Sequence, residues 1–165
     1  MNRPTARDIA WRLFVETSGR LHTVLDEELK SDAQITLSDF NILLTLAEAP
    51  EHRMRMRDLA DAMVFSSSRL SYQIDMMQRR GWIRRERAAE DRRGSYAVLT
   101  AQGRRAFDDA ARGHSASVEE LFGSVVTDEE AATLIAVLDR LRKRMEDKNN
   151  EAAAHPGIGS ASLEQ

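Results

Sequence analysis

Cysteine is absent from this 165-residue chain. Disulfide bonds, thiolate metal sites and a cysteine redox switch are therefore excluded, and the composition fits a reducing compartment. Aromatic residues are scarce, at 5% of the chain. We therefore expect a core built from aliphatic side chains, which suits a helical protein.

Long apolar runs are also lacking. The first residues, MNRPTARDIAW, contain no apolar stretch of the signal-peptide type, and no run approaches the roughly 18 apolar residues that a membrane span needs. A Gly-rich phosphate loop and a G-x-S-x-G motif are missing, and the four histidines show no metal-ligand spacing. We therefore expect a cytoplasmic protein that is not an enzyme and that holds neither a cofactor nor a metal.

The formal net charge of -3 hides a strong internal asymmetry. The stretch from Arg53 to Arg105 contains thirteen arginines and six acidic residues, a net charge of +7, so the remainder carries -10. An arginine-rich stretch is most often a solvated surface. Arginine is also the side chain that best matches phosphates and guanine edges, so the stretch is a candidate footprint for DNA if the fold presents it on one face.

Apolar periodicity near 3.6 residues predicts two N-terminal helices, the second capped by Ser38 and ending before Pro50. A short third helix is followed by a turn at Phe65 and a serine triplet, and then by a fourth helix. On that fourth helix the apolar residues form one stripe and polar residues occupy the opposite face. The four predicted helices span 5–29, 38–49, 58–63 and 69–80.

The rest of the chain predicts a charged hairpin and two long helices. Strands over 82–87 and 95–99 flank a polar loop. Thr100 caps the next helix, and Thr127 with Glu130 forms a capping box that opens the last one. The apolar seams of these two helices resemble a coiled coil, so we expect a partner subunit to cover them. The composition of 149–165 predicts a disordered tail.

A short helix, a turn, a second helix with a polar face and a basic hairpin follow each other in the order of a winged helix-turn-helix. Near the N-terminus of the second helix lie Ser68, Arg69 and Tyr72, where base edges in a major groove would be met. The free backbone N–H groups at this end also favour a phosphate.

The chain resembles the MarR family of transcription regulators through LADAMVFSSSRLSYQIDMMQRRGWIRR and DRRGSYAVLTAQG, and the resemblance covers about residues 5–148. The second segment matches the wing signature of the family at Asp91, Arg93, Leu99, Thr100 and Gly103. Two positions depart mildly from the family pattern, with Ala97 in place of valine and Ser71 in place of threonine.

The resemblance implies a mainly α fold with a small β-hairpin wing. A single domain over 1–148 would combine dimerisation helices at about 5–31 and 101–148 with a winged lobe at about 36–100. It implies a homodimeric regulator, a repressor, that binds a palindromic operator in double-stranded DNA and is released by a small aromatic effector. Such a protein is cytoplasmic and reaches the nucleoid through DNA.

The resemblance also implies that Arg93, with Arg92 as a second candidate, enters the minor groove from the wing tip, while Asp91 pairs with an arginine to hold that tip. A narrow minor groove concentrates negative potential and so attracts arginine. Arg53, Arg55 and Arg57 are candidates for phosphates. The predicted DNA-binding residues are Ser66, Ser67, Ser68, Arg69, Ser71, Tyr72, Arg79, Asp91, Arg92 and Arg93.

Two alternatives stay open. Trp11, His22 and His114 are candidates to line an effector cleft, but packing of Trp11 and His114 in a dimer core explains them more simply, so the effector-binding residues are unassigned. A winged helix can also serve as a protein-protein interaction module, because a fold does not fix its partner. An apolar outer face on the second helix would favour that function, whereas the observed sequence is mostly polar and basic there.

Overall fold

The computed structural model describes residues 3–88 and 94–154. Within these residues the chain forms six α-helices and one three-stranded antiparallel sheet, so the expected mainly helical fold with a β-hairpin is confirmed. No described helix combines the length and apolarity that a membrane crossing requires. The elements are α1 (Ala6–Ala33), α2 (Leu37–Glu48), a 3-10 turn (Pro50–His52), β1 (Arg53–Arg55), α3 (Met56–Met63), α4 (Ser67–Arg79), β2 (Ile83–Arg87), β3 (Ser95–Leu99), α5 (Ala101–Val118), a π-helical turn (Glu119–Gly123) and α6 (Asp128–Ala154).

The described residues fall into two units. The first runs through Leu121 and contains α1 to α5 with the sheet, and the second begins at Phe122 and contains α6. The predicted division into dimerisation helices at about 5–31 and 101–148 and a winged lobe at about 36–100 stays a prediction. Helix α6 continues to Ala154, six residues past the predicted limit at 148. Alanine and glutamate, which occur in this extension, are strong helix formers, and 155–165 lies outside the described residues.

Side-chain caps fix where the first two helices begin. Thr5 caps α1 and Thr36 caps α2, each accepting a hydrogen bond from the backbone N–H three residues on, and Asp8 and Asp39 return the bond. The prediction that Ser38 caps α2 is wrong, because Ser38 lies inside the first turn. A complete capping box satisfies two orphan N–H groups where a lone serine satisfies one.

The two later caps are confirmed. Thr100 Oγ1 accepts a hydrogen bond from the N–H of Gly103 at 3.0 Å and donates one to the carbonyl of Gly81 at 2.6 Å. Thr127 Oγ1 accepts from the N–H of Glu130 at 3.3 Å, and the Glu130 carboxylate accepts from the N–H of Thr127 at 3.0 Å. Thr100 thereby ties the start of α5 to the residues that precede β2.

The core of the first unit is aliphatic, as expected. Phe40 is the only aromatic residue among the buried core side chains in the described part of the chain. Helix α1 contributes Leu25 and Leu29 from its C-terminal half, which packs on α2 and α5. The N-terminal half of α1, in contrast, is exposed. The largest fully buried side chains are Ile35, Ile42, Leu43, Leu46, Leu59, Leu70, Ile74, Met77 and Ile83.

The sheet has the order β1-β3-β2, with both pairs antiparallel. Ala97 in the central strand pairs with Met54 on one side and Arg85 on the other, and it is fully buried. The hairpin of β2 and β3 agrees with the sequence prediction to within one residue. Strand β1 was not predicted, since three residues are too few to display an alternation.

Candidate nucleic-acid interface

Helix α4 carries a buried stripe and an exposed face, as predicted. Leu70, Ile74 and Met77 are at most 1% exposed and pack into the core. Tyr72 on the opposite side is 67% exposed. Except for Met76, the members of the exposed face are polar or charged: Ser67, Ser68, Arg69, Tyr72, Asp75, Met76, Gln78 and Arg79. This face is available for hydrogen bonding and is not a typical apolar docking surface.

The serine triplet divides into a cap and an exposed first turn. Ser66 caps α4, and its Oγ accepts a hydrogen bond from the N–H of Arg69 at 3.3 Å. The hydroxyl of Ser68 lies 3.2 Å from that of Ser66. The guanidinium of Arg69 stacks over the ring of Phe65, 4.0 Å from its centroid. This cation-π contact holds Arg69 beside the N-terminus of the helix before any ligand arrives.

Ser71 and Arg79 differ in their accessibility. Ser71 is only partly exposed, and its backbone carbonyl accepts a hydrogen bond from Arg85 of β2. Arg79 in the last turn is exposed, with its Nη1 3.9 Å from the sulfur of Met76. Of the predicted helix residues, Ser71 is therefore the least accessible to a ligand.

Two contacts between side chains also attach α4 to its neighbours. Gln73 donates a hydrogen bond to Asp39 of α2, a carboxylate that is only 6% exposed. Arg85 of β2 pairs with Asp75 at 3.0 Å. Neither contact is predicted from the sequence. Both join residues distant in sequence, so no local spacing reveals them.

The hairpin carries further arginines. Arg84 and Arg87 on β2 are exposed, and Arg84 pairs with Glu86 on the same strand. The N–H of Ala88 donates to the carbonyl of Gly94 at 3.0 Å, which closes the described part of the hairpin. The wing-tip residues Asp91, Arg92 and Arg93 lie outside the described residues, so their roles stay predictions.

The three arginines at the start of α3, two before the helix and Arg57 in its first turn, have different surroundings. Arg53 pairs with Glu51 at 2.8 Å, and both Arg53 and Arg55 stack on the ring of Tyr96, with centroid distances of 5.0 and 4.7 Å. The side chain of Arg57 is 85% exposed and lies 3.3 Å from Asp58. Arg57 is thus the most accessible of the three for a phosphate.

The three candidates for an effector cleft differ in their burial. Trp11 is 66% exposed and His22 is also exposed. His114 is partly buried, with its ring 4.4 Å from the ring of Phe40, and burial lowers its pKa, opposed by the charge of Glu28. A cavity of about 50 Å³ between α1 and α5 is lined by His114 and Glu28. Over 3–88 and 94–154, no group of three His, Cys, Asp or Glu residues is arranged to hold a metal.

Comparison with known proteins gives a consistent family. A family model described as MarR family matches residues 33–94. AbsC, a MarR family transcriptional regulator from Streptomyces coelicolor, is 34% identical with a TM-score of 0.83, over 89% of this chain and 99% of AbsC. Sco3205, a MarR family transcriptional regulator from the same organism solved in complex with DNA, is 30% identical with a TM-score of 0.81, over 87% of this chain and 90% of Sco3205. The HTH-type transcriptional regulator PecS of Dickeya dadantii (strain 3937) is 26% identical over 143 residues, which are 84% of this chain and 85% of PecS.

Proposed function

The chain belongs to the MarR family, and from this premise we propose that it is a homodimer that binds a specific, palindromic site in double-stranded DNA and regulates transcription. We extend the proposal to a repressor that a small-molecule effector releases. The DNA complex of Sco3205 supports the first part. The relatives are transcriptional regulators, which makes an enzymatic activity unexpected.

The observation that carries this proposal is the exposed face of α4. Its first two turns present hydroxyl groups, a guanidinium and a phenol in the positions from which a recognition helix meets base edges. The arginines of β2 and the exposed Arg57 lie in the same unit and supply positive charge for phosphates. Phosphate contacts position a protein on the duplex, and base contacts specify the sequence.

Exposed apolar side chains support the dimer. In the N-terminal half of α1, Trp11 is 66% and Leu13 58% exposed, and in α6 Ile135 is 67% and Met145 60% exposed. Large exposed apolar patches commonly mark interaction sites. A second copy that covers these faces would present two α4 helices, and half-sites about 10 to 10.5 base pairs apart would match them.

The effector part of the proposal depends on a conformational change. The cavity beside His114 is about 50 Å³, which is smaller than the roughly 150 Å³ cavity known to hold benzene. An aromatic effector would therefore need this cavity to open or would bind elsewhere. An effector that stabilises an arrangement with the wrong spacing of the two α4 helices would release DNA in proportion to its differential affinity.

Selection of bound fragments from random duplex DNA at physiological salt tests the proposal. We expect an enriched sequence with two-fold symmetry and an affinity that falls steeply with salt. A matched pair of variants then separates specificity from charge: Arg69→Ala should change the preferred sequence, whereas Arg57→Ala should weaken binding to all duplexes and reduce the salt slope by about 1. A protein that enriches no sequence contradicts the proposal.

A further inference from the structure

Arg85 connects the two elements that the proposed function places on DNA. It lies on β2, and its side chain is 33% exposed. Its Nη2 is 3.0 Å from the carbonyl oxygen of Ser71 and 3.0 Å from Asp75 Oδ1, both on α4. Ser71 and Asp75 are one helical turn apart. The guanidinium therefore attaches the hairpin to α4 at two points.

Two attachment points one turn apart restrain both the position and the rotation of α4 relative to β2. A single contact would let the helix slide and rotate against the strand, and rotation would turn its outer face away from the bases. The ion pair between the guanidinium and the Asp75 carboxylate adds charge attraction to the hydrogen bond that Arg85 donates to the Ser71 carbonyl. The planar guanidinium also fixes the direction of its donors.

The negative charge of Asp75 also supports a structural role for its contact with Arg85. Its side chain is 53% exposed on the face of α4 that the proposed function turns toward DNA. A carboxylate there repels DNA, so electrostatics alone would disfavour it. The contact with Arg85 gives this acidic residue a structural role that offsets the repulsion.

A neighbouring residue provides a contrast. Arg84 lies on the same strand as Arg85, but it forms an ion pair with Glu86 of β2. Its side chain is 55% exposed. Among the described residues Arg84 forms no hydrogen bond or ion pair with α4, yet it carries the same charge on the same strand, which makes it a matched control for Arg85.

We propose that Arg85 is a positioning residue that determines DNA sequence discrimination by fixing α4 to the hairpin through Ser71 and Asp75. The proposal rests on the proposed function, because it concerns how the recognition helix is oriented. Arg85 and Asp75 would thus affect DNA sequence discrimination without touching a base.

The test compares Asp75→Ala, Arg85→Gln and Arg84→Gln with the parent. Fluorescence anisotropy gives the Kd for the selected duplex and for a scrambled duplex at several salt concentrations, and the ratio of the two Kd values measures discrimination. Circular dichroism melting shows whether each variant is folded. A stability loss alone lowers the active fraction equally for both duplexes and leaves the ratio unchanged.

We expect Asp75→Ala to reduce the ratio by about tenfold, because α4 loses one of its two attachments to the hairpin, even though the variant removes a negative charge. Arg85→Gln should reduce the ratio similarly. Arg84→Gln should weaken binding to both duplexes and leave the ratio unchanged.

Three results would overturn the assignment. Asp75→Ala could increase the affinity for both duplexes equally, or Arg85→Gln could behave like Arg84→Gln. In the third result, Arg85→Gln reduces the ratio but Asp75→Ala does not. The last result would mean that Arg85 contacts DNA directly. Failure of the proposed function looks different, because then the parent itself would not distinguish the two duplexes.

Discussion

A methyl group at position 103 would collide with the backbone of Trp82. A Cβ built on Gly103 lies 2.1 Å from the carbonyl oxygen and 2.8 Å from the carbonyl carbon of Trp82. Carbon and carbonyl oxygen normally stay about 3.3 Å or more apart, so the start of α5 would have to move by about 1.2 Å. That movement would strain the hydrogen bonds of Thr100, which ties this helix to Gly81.

The expected cost of Gly103→Ala follows from two opposing effects. Overpacking a tight site costs about 1 to 3 kcal/mol, and here the obstacle is backbone, which relaxes less easily than a side chain. The better helix propensity of alanine returns at most about 1 kcal/mol. We therefore expect a net loss of about 2 kcal/mol, or about 4 to 8 °C in Tm for a chain of this size.

Gly113→Ala is a matched control on the same helix. Its Cβ would have Asp32 Oδ2 as its nearest neighbour, at an ordinary contact distance of 3.9 Å, so only the propensity gain remains and the Tm should rise. Differential scanning calorimetry at one protomer concentration compares the variants, because oligomerisation makes Tm depend on concentration. A Gly103→Ala protein as stable as the parent would refute the close approach of α5 to Trp82.

The remaining predictions concern a strained turn and a partly buried histidine. Val64 ends α3 with φ 54° and is 90% exposed, so Val64→Gly should relieve about 1 to 2 kcal/mol of left-handed strain, lose about 0.5 to 1 kcal/mol to glycine flexibility and raise the melting temperature slightly. A lower melting temperature of Val64→Gly would contradict the claim that the backbone of Val64 is strained. Burial lowers the pKa of His114 below its ordinary 6.5, so the unfolded chain binds more protons there and stability should fall as pH drops below about 6.5. His114→Gln should lose this part of the pH dependence in urea titrations, and an unchanged dependence would rule out the histidine as its source.

The features that sequence predicted well depend on neighbours along the chain. Thr100, and Thr127 with Glu130, act over three residues, and the stripe of α4 repeats within one helix, so spacing alone identifies them. The glycine of the wing signature was recognised as a motif, but its reason, the backbone of Trp82, needed coordinates.

Features that sequence missed depend on distant residues or on a choice between local signals. Arg85 meets Ser71 across 14 positions and Gln73 meets Asp39 across 34, and neither pair has a spacing signature. The cap of α2 was missed for another reason. Thr36 and Asp39 do have the spacing of a capping box, but the neighbouring Ser38 offers a competing cap.

The central claim is that two copies of the winged lobe bind one duplex together. Sedimentation velocity with a labelled duplex gives the number of chains per complex, for the selected palindrome and for the same duplex with one half scrambled. We predict two chains on the palindrome and at least a tenfold weaker affinity for the scrambled duplex, because one α4 would lose its base contacts and each mismatched base pair costs about 1 to 3 kcal/mol. One chain per palindrome, or equal affinity for the two duplexes, would contradict the account.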